Sequence, residues 1–471
     1  MSPFTSRLLA KFAILLDIFH PSGSLLPYNG TTAEWFRDLP LPLDAGRIDD
    51  LIGVCHKIWR LIVAIDGEFE FPGIIHMRHD KIIPMIYLDY AATTPVDPRV
   101  VNAMRPYFSE SFGNPSSVHR YGQRAEAAVD SARETVATAL NCRADEIVFT
   151  SCGSESDNLA LRGAALALRE ETGANWIITS QAEHHAVSKT AKQLEQYYGF
   201  QVEWLDVDEY GMVRPETVAK AICSNTALVS VMYANNEIGT INPIREIAGI
   251  CRANDILFHT DAVQAAAYLP VEVDALGVDL MSLGGHKFYG PKGVGALYVR
   301  KGTPLVTYLT GGGQEFGLRA GTQNVPYIVG FAEALRLTVE EREARIAHVK
   351  LLRDQIVGRV LEEIPDSRLT GHPEARLPNH ASFVFKDVDG NLLLQLLDAA
   401  DFACSSGSAC KTGNPEPSEV MNAIGLSRDW GLGSLRVTLG DGTTSGDVEI
   451  FLKVLPSLVE KTRQLAVERR G

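Results

Sequence analysis

Short runs rich in β-branched residues alternate with longer helical stretches from residue 85 of the chain onward. Strands separated by helices are joined by crossovers, and these connections build a largely parallel sheet with helices on both faces. We therefore predict an α/β fold with a mostly parallel seven-stranded sheet, with ligands bound beyond the carboxyl ends of its strands. The predicted strands are residues 146–150, 176–179, 202–207, 227–232, 256–260, 280–283 and 295–299, with helices at 155–170, 187–198 and 244–253.

The alternation ends near residue 335. A long polar helix at 339–364, a strand-like run at 381–385 and a helix at 447–463 follow, and this change predicts a second, smaller α+β domain. Residues 1–84 carry no chemical motif and are either an accessory extension or an artefact of the chosen start. The predicted parts are an N-terminal extension of unknown role (1–84), a small α+β domain (85–96 and 340–471) and a large α/β domain (97–339).

The balance of charges and the number of cysteines narrow the function classes. Asp and Glu outnumber Lys and Arg by 58 to 44, giving a formal net charge of −14. An acidic chain repels phosphate backbones, so we expect no direct nucleic-acid binding. Seven cysteines without a C-x-x-C pair argue against a disulfide framework or a zinc site, and they favour a reducing compartment, the cytoplasm. Lys11 and Asp17 interrupt the most apolar early run, so we expect no membrane helix.

The first predicted strand ends in a segment of small residues that opens a helix. Ser154 with Asp157 three residues later is a capping-box pattern, which predicts that Ser154 caps this helix. Small residues at a helix N-terminus leave backbone N–H groups free for an anion. The segment is therefore either a phosphate-binding cup or an ordinary capped helix.

Polar side chains also follow two of the later strands. His184 follows the strand at 176–179, where a histidine can stack on a planar aromatic cofactor or act as a surface or capping residue. Asn235 and Asn236 follow the strand at 227–232, and they either orient a polar ring substituent or form an Asx turn.

Asp261 and Lys287 stand near the ends of successive strands. A buried carboxylate at Asp261 can hold a pyridinium N–H in a charge-assisted hydrogen bond, and a lysine preceded by small residues can form a Schiff base. Together they form the pattern expected for pyridoxal 5′-phosphate (PLP). Each residue alone has an ordinary alternative, a structural aspartate or a solvated lysine.

Three further motifs lie late in the chain. The glycine-rich segment 311–322 lacks the nucleotide P-loop pattern, and it either forms an interface loop or supplies Thr322 to a phosphate. Cys410 lies among small residues beside Lys411, where an exposed thiol reaches the thiolate form; the alternative is a packing segment. Arg436 either clamps a carboxylate bidentately or forms an ordinary surface ion pair.

In this order the motifs resemble those of the cysteine desulfurases of the NifS/IscS type, within the class V aminotransferase family. The similarity covers about residues 86–465, and it rests on all the motifs in sequence rather than on any one. They are residues 87–95, 113–117, 155–158, 235–239, 286–293, 311–322 and 405–410.

The resemblance implies a PLP enzyme of fold type I that converts L-cysteine to L-alanine and leaves a persulfide on Cys410. Lys287 would bind PLP covalently, Asp261 would hold its pyridine nitrogen, and His184 would stack on the ring and assist proton transfer. The remaining cofactor contacts would come from Asn236 and Gln264 at the ring oxygen, from Gly153, Ser154 and His286 at the phosphate, and from Thr322 of a second subunit in a homodimer. Arg436 and Asn236 would bind the carboxylate of the substrate.

The resemblance also implies that a mobile loop carries sulfur from Cys410 to an acceptor protein, such as an Fe–S scaffold or a partner in tRNA thiolation. Many relatives carry serine where this chain has Gly284, so we expect one hydroxyl contact to the phosphate to be missing. Two alternatives stay open. A selenocysteine lyase or another class V enzyme need not use Cys410, and a catalytically silent scaffold should lack Lys287, Asp261 or Cys410, all of which are present.

Overall fold

The computed structural model describes residues 85–406 and 416–468. The predicted extension, residues 1–84, and Cys410 lie outside the described residues. The strands are β1 (Ile86–Tyr87), β2 (Ile147–Thr150), β3 (Trp176–Ser180), β4 (Gln201–Leu205), β5 (Thr226–Ser230), β6 (Leu257–Asp261), β7 (Leu280–Gly284), β8 (Gly295–Val299), β9 (Ser367–Leu369), β10 (His380–Phe385), β11 (Phe402–Ala403) and β12 (Ser434–Thr438). The helices are α1 (Pro98–Met104), α2 (Pro106–Ser109), α3 (Arg120–Leu140), α4 (Gly153–Thr172), α5 (His185–Tyr198), α6 (Pro215–Ala221), α7 (Ile244–Ala253), α8 (Val273–Leu276), α9 (Val325–Glu363), α10 (Gly390–Ala399), α11 (Glu419–Ala423), α12 (Arg428–Gly431) and α13 (Ser445–Glu468).

The main sheet has seven strands in the order β2-β8-β7-β6-β5-β3-β4. Strands β3 to β7 pair in parallel, and β8 runs antiparallel between β2 and β7. The predicted α/β fold with a mostly parallel sheet is therefore confirmed. Strands β5, β7 and β8 are buried at every position, as expected where helices cover both faces of a sheet. Because β2 points the same way as β3 to β7, the carboxyl ends of these strands share one edge.

Each of the seven predicted strands lies within two residues of its observed bounds, but the predicted cap of α4 is wrong. Helix α4 begins at Gly153, and its N-cap residue, Cys152, makes no side-chain capping bond. Ser154 lies inside the first turn, and Asp157 is buried rather than at the surface position that a capping box needs. The Glu155 carboxylate instead accepts the Ser151 N–H at 2.6 Å.

The long polar helix was predicted to begin at residue 339, and this start is also wrong. Helix α9 begins at Val325, where the Asn324 side chain caps it. Its first turns bury Phe331 and Leu335, so they lack the polar pattern that marks its second half. The predicted domain boundary between residues 339 and 340 lies within this continuous helix, and the division into a large and a small domain stays a prediction.

A smaller antiparallel sheet places β10 between β9 and β12, and β1 pairs in parallel with β11. The predicted strand at 381–385 is β10, and the predicted closing helix is α13. Asp89 follows β1 and bridges to Thr438 at the end of β12, so the N-terminal part of the described chain joins this sheet. None of the described helices is long and apolar enough to cross a membrane.

Candidate active site

A cavity of about 340 Å³ lies at the carboxyl edge of the main sheet. It gathers side chains from the ends of β5, β6 and β7, from the first turns of α4 and from β12. Thr322 is exposed and does not line this cavity, and Cys410 lies outside the described residues. Nine of the residues singled out from the sequence do line it: Gly153, Ser154, His184, Asn236, Asp261, Gln264, His286, Lys287 and Arg436.

Lys287 lies in a short turn directly after β7. Its Nζ donates hydrogen bonds to the carbonyl oxygens of Ala91 at 2.6 Å and Ala92 at 2.9 Å. Burial and, to a smaller extent, the charge of Arg436 lower the pKa of this amine to about 8, while Asp261 opposes the shift. The amine therefore reaches its nucleophilic, neutral form far more readily than a solvated lysine does.

Asp261 ends β6 and is buried, with Oδ1 accepting the Val263 N–H at 2.9 Å. Burial raises the pKa of this carboxyl, while the neighbouring His184 and Lys287 favour its ionised form. Among the described residues, none donates a hydrogen bond to Oδ2. An ionised Asp261 thus has a free acceptor for a cationic N–H.

His184 acts as both a cap and a cavity residue. Its Nδ1 accepts the Ala186 N–H at 3.1 Å at the start of α5, which leaves Nε2 as the protonated nitrogen of the neutral ring. Burial lowers the pKa of His184, and Asp261 opposes this shift. The ring is therefore mainly neutral near pH 7.

The sequence left two roles open for the adjacent residues Asn235 and Asn236, an Asx turn and a contact in the site. Asn235 forms the Asx turn, since its Oδ1 accepts the Glu237 N–H at 2.8 Å and the Ile238 N–H at 3.0 Å. Asn236 lines the cavity. Its carbonyl oxygen accepts a hydrogen bond from Arg436 at 2.8 Å. Gln264 also lines the cavity, and its Nε2 donates to the Ala91 carbonyl at 2.7 Å.

One end of the cavity is built to receive an anion. Among the described residues, the N–H groups of Gly153 and Ser154 have no hydrogen-bond acceptor, and they open α4. A Cβ on Gly153 would lie 2.6 Å from a Val263 methyl carbon, so only glycine fits there. Burial lowers the pKa of His286 to about 4, so it is neutral and its ring reaches Thr93 Oγ1 at 3.2 Å.

Two buried acids in or beside the cavity were missed by sequence reasoning. Asp157 lines the cavity, and its ligand atoms and those of His184 and Asp261 lie within 4.8 Å of one another. Burial and the Asp261 charge raise the pKa of Asp157 well above its ordinary value. The available signal was its spacing, because a residue four after Gly153 lies on the same helix face. Glu183 is buried one residue before His184, and burial raises its pKa to about 8.

Arg436 forms an ion pair, but not at the surface as the ordinary alternative supposed. The residue is 7% exposed, and its NH2 group lies 2.8 Å from Asp89 Oδ1. Its NH1 group donates to the Asn236 carbonyl, while its buried Nε has no hydrogen-bond partner among the described residues. That nitrogen is closed off from solvent, but each terminal nitrogen carries a second N–H on a side chain that lines the cavity, and these are the donors for a carboxylate.

These groups fit PLP in charge and in type of donor. The free N–H groups at the start of α4 suit a phosphate, Asp261 suits a pyridine N–H, and Lys287 suits an aldehyde. All three line one cavity. A second, more open cavity of about 660 Å³ lies against α3 and contains the buried Arg133–Glu315 ion pair at 2.7 Å. It has no lysine among its lining residues, so it offers no amine for an aldehyde.

Comparison with known proteins points to the same chemistry. The family model described as Aminotransferase class-V matches residues 86–451. A cysteine desulfurase IscS of Dictyoglomus turgidum is 47% identical over 381 residues, which cover 81% of this chain and 96% of that protein. A solved NifS-like protein is 37% identical with a TM-score of 0.75, covering 80% of this chain and all of that one. The structure titled SspA in complex with cysteine is 36% identical with a TM-score of 0.66, covering 76% of this chain and all of that one.

Proposed function

Because the chain belongs to the class V aminotransferase family, as a PLP-dependent cysteine desulfurase of the NifS/IscS type, we propose how its residues divide the reaction. The cavity binds PLP and L-cysteine, and Cys410 takes the sulfur of the substrate. The observation that carries this assignment is the single cavity that combines Lys287, Asp261 and His184 with the free N–H groups of α4.

Most of the residues that would hold PLP come from strand ends. Lys287 forms the covalent link, Asp261 accepts the pyridine N–H, and Asn236 and Gln264 contact the ring oxygen. When bound, PLP supplies an electron-accepting ring that makes the bond changes at the substrate carbon atoms possible. The phosphate contacts come from Gly153, Ser154 and His286.

Lys287 and His184 move protons in this proposal. The pKa of the Lys287 amine is lowered to about 8, so Nζ can both accept and return a proton near neutral pH. The neutral His184 ring carries its proton on Nε2, since Nδ1 is committed to the Ala186 N–H.

Arg436 orients the substrate through its carboxylate. Its guanidinium is already fixed by Asp89 and by the Asn236 carbonyl, and each terminal nitrogen keeps a second N–H for the carboxylate. A positioned arginine selects substrates that bear a carboxylate, because the planar fork matches that group.

The sulfur step needs a thiolate outside the cofactor contacts, and Cys410 has this role. The Cys410 thiolate attacks the substrate sulfur, so that an S–S bond forms while the substrate C–S bond breaks. The carbon keeps the electron pair of that bond and takes up a proton, which gives L-alanine and a persulfide on Cys410. An external thiol or an acceptor protein then takes the terminal sulfur.

The protein works as a homodimer in this proposal, with Thr322 of one subunit contacting the phosphate bound by the other. The glycine-rich segment that carries Thr322 is anchored to the start of α4, since Arg319 lies 2.8 Å from Glu155. The sulfur acceptor is a protein such as an Fe–S scaffold. A reducing compartment such as the cytoplasm fits the free thiols of the described residues.

The test compares two variants that separate the cofactor from the nucleophile. We expect Cys410→Ala to keep the visible absorbance of the cofactor and to release no sulfide from L-cysteine. We expect Lys287→Ala to lose the characteristic absorbance of the lysine-bound cofactor. The matched control is Cys223→Ala, an exposed cysteine outside the cavity, which should turn over like the parent. Full turnover by Cys410→Ala would contradict the assignment.

A further inference from the structure

Asp89 has no part in the cofactor contacts, yet it is the ionic partner of Arg436. Asp89 does not line the cavity, whereas Arg436 does. The ion pair between Arg436 NH2 and Asp89 Oδ1 is 2.8 Å long, with 9% and 15% of the two side chains exposed. A charge buried to this degree is stable when it is paired and hydrogen-bonded. Asp89 therefore determines the position of the Arg436 guanidinium before substrate binds.

The second oxygen of Asp89 is also used. Asp89 Oδ2 accepts a hydrogen bond from the Ser405 hydroxyl at 2.9 Å. Ser405 in turn pairs with Arg436 through the backbone, with the Arg436 N–H donating to the Ser405 carbonyl at 2.7 Å. Asp89, Ser405 and Arg436 therefore form a closed group in which each member contacts the other two.

The backbone of this group is fixed from both sides. Arg436 lies in β12 and pairs with Ser382 of β10 on one side and with Ser405 on the other. Asp89 is held by a bridge to Thr438, two residues along β12. The remaining freedom lies in the long Arg436 side chain, and its two terminal nitrogens are restrained by Asp89 and by the Asn236 carbonyl.

We propose that Asp89 is a positioning residue that fixes the Arg436 guanidinium for the carboxylate of the substrate, and thereby restricts the enzyme to amino acids with a free carboxylate. This inference rests on the proposed role of Arg436. An unrestrained arginine samples many rotamers, whereas one held at its two terminal nitrogens presents the second N–H of each in a fixed direction. The hydrogen bond to Asp89, rather than its negative charge, supplies this restraint.

The charges that face Arg436 support a role in orientation. Arg436 lowers the pKa of Lys287, and it opposes the burial that raises the pKa of Glu237 to about 7. A guanidinium released from Asp89 would change its distance from Lys287 and from Glu237. The pKa values of both groups would then change. Asp89 thus also keeps Arg436 at a constant position relative to the catalytic amine.

The test measures carboxylate recognition separately from catalysis. Purified holoenzyme is titrated with L-alanine, the product, and with ethylamine, which is L-alanine without its carboxylate. Each dissociation constant is read from the change in the visible absorbance of the cofactor. The ratio of the ethylamine constant to the L-alanine constant reports the contribution of the carboxylate alone.

We expect Asp89→Ala to lower this ratio about tenfold or more, the size expected for a hydrogen bond to a charged group, with the ethylamine constant unchanged. Asp89→Asn keeps an oxygen that accepts the Arg436 N–H, so its ratio should fall much less. Ser405→Ala removes only the hydroxyl that fixes Asp89, and it should lower the ratio about threefold. This last variant keeps the test decisive if Asp89→Ala fails to fold.

The outcomes separate this inference from the proposed function. Arg436→Ala should abolish the preference for L-alanine; if it does not, the proposed substrate contact is wrong. If Arg436→Ala abolishes it while Asp89→Ala and Ser405→Ala leave the ratio unchanged, the positioning role is wrong and the proposed function stands. The positioning role is also wrong if Asp89→Ala weakens the binding of L-alanine and of ethylamine equally. It is likewise wrong if Asp89→Asn lowers the ratio of the two dissociation constants as much as Asp89→Ala does.

Discussion

Burial, more than any single contact, sets the behaviour of the ionisable groups at the site. Lys287 loses hydration in the cavity and lies near Arg436, so the pKa of its amine falls to about 8. Asp261 and Asp157 are both buried, but the charges of His184 and Lys287 favour the ionised form of Asp261, whereas the Asp261 charge raises the pKa of Asp157 further. The proton shared by two close carboxyls therefore stays on Asp157, and Asp261 keeps the charge.

The pKa of Lys287 predicts how the cofactor-free protein captures PLP. The neutral amine attacks the aldehyde, so the rate of uptake should rise with pH and level off above an inflection near 8. The measurement is the growth of the cofactor absorbance after PLP is added, between about pH 6 and pH 10. An inflection near 10.5, the ordinary value of a lysine, would show that the cavity does not desolvate this amine.

Glu183 predicts a pH dependence of stability. Its pKa is raised from 4.5 to about 8 in the folded chain, so the folded state holds this proton more tightly than the unfolded state. Its stabilising contribution is complete below pH 4.5 and declines, by about 1.4 kcal/mol per pH unit, as the pH rises towards 8.

The isosteric variant Glu183→Gln cannot ionise, so this part of the pH dependence should vanish. Denaturant unfolding of both proteins across that pH range compares their free energies of unfolding. Parallel pH profiles for the two proteins would contradict a protonated Glu183.

At the scale of elements, the ends of β6 and β7 and the start of α4 meet around one side chain. Both methyl groups of Val263 face glycines: a Cβ on Gly153 would lie 2.6 Å from one methyl, and a Cβ on Gly284 would lie 3.2 Å from the other. The resemblance implies a serine hydroxyl at position 284. This chain lacks that hydroxyl, and the Val263 side chain leaves little room for a Cβ at this position.

This packing predicts the effect of restoring the hydroxyl. We expect the double variant Gly284→Ser with Val263→Ala to bind PLP about fivefold more tightly than Val263→Ala alone, as one added hydrogen bond would give. Gly284→Ser alone should gain less, because the new Cβ crowds Val263. The comparison uses PLP dissociation constants from absorbance titrations. Equal constants for the double variant and Val263→Ala would show that position 284 does not reach the phosphate.

The elements that the sequence predicted best are those whose burial is uniform along their length. Strands β7 and β8 are buried at every position, and their predicted bounds lie within one residue of the observed ones, so the residues that follow β7 were found. Helix α9 was misplaced because its first half is buried and its second half is polar, and the sequence pattern changes within one continuous helix.

The sequence predicted the residues of the site better than it predicted the contacts between them. Lys287 and Asp261 could be recognised because both follow strands, and the topology of a parallel sheet brings strand ends together. Asp89 and Arg436 lie 347 positions apart in the sequence, and no local sequence pattern predicts that they pair. Asp157 was interpreted as part of a capping box because a buried acid near the start of a helix has the same local sequence as a capping residue.

At the scale of the whole molecule, the proposed homodimer predicts complementation between two impaired forms at limiting PLP. Lys287→Ala lacks the amine, and Thr322→Ala lacks the hydroxyl that one subunit gives to the other. After exchange of subunits, each mixed dimer has one site with both residues intact.

We expect the mixture to regain about a quarter of the wild-type sites, because half of randomly paired dimers are mixed. Sulfide release at limiting PLP gives the readout. Activity no higher than the sum of the two separate variants would mean that Thr322 serves its own subunit or does not contact the cofactor.

The central claim is that Cys410 takes the sulfur of L-cysteine while the cavity around Lys287 handles the amino acid. The most direct test is a reaction of the purified holoenzyme with excess L-cysteine in the absence of an added thiol or acceptor. We predict an initial burst of one L-alanine per active site, and a peptide containing Cys410 that has gained one sulfur atom, as detected by mass spectrometry. Alanine formed in a burst with no sulfur on Cys410, or a keto acid in place of alanine, would contradict the account.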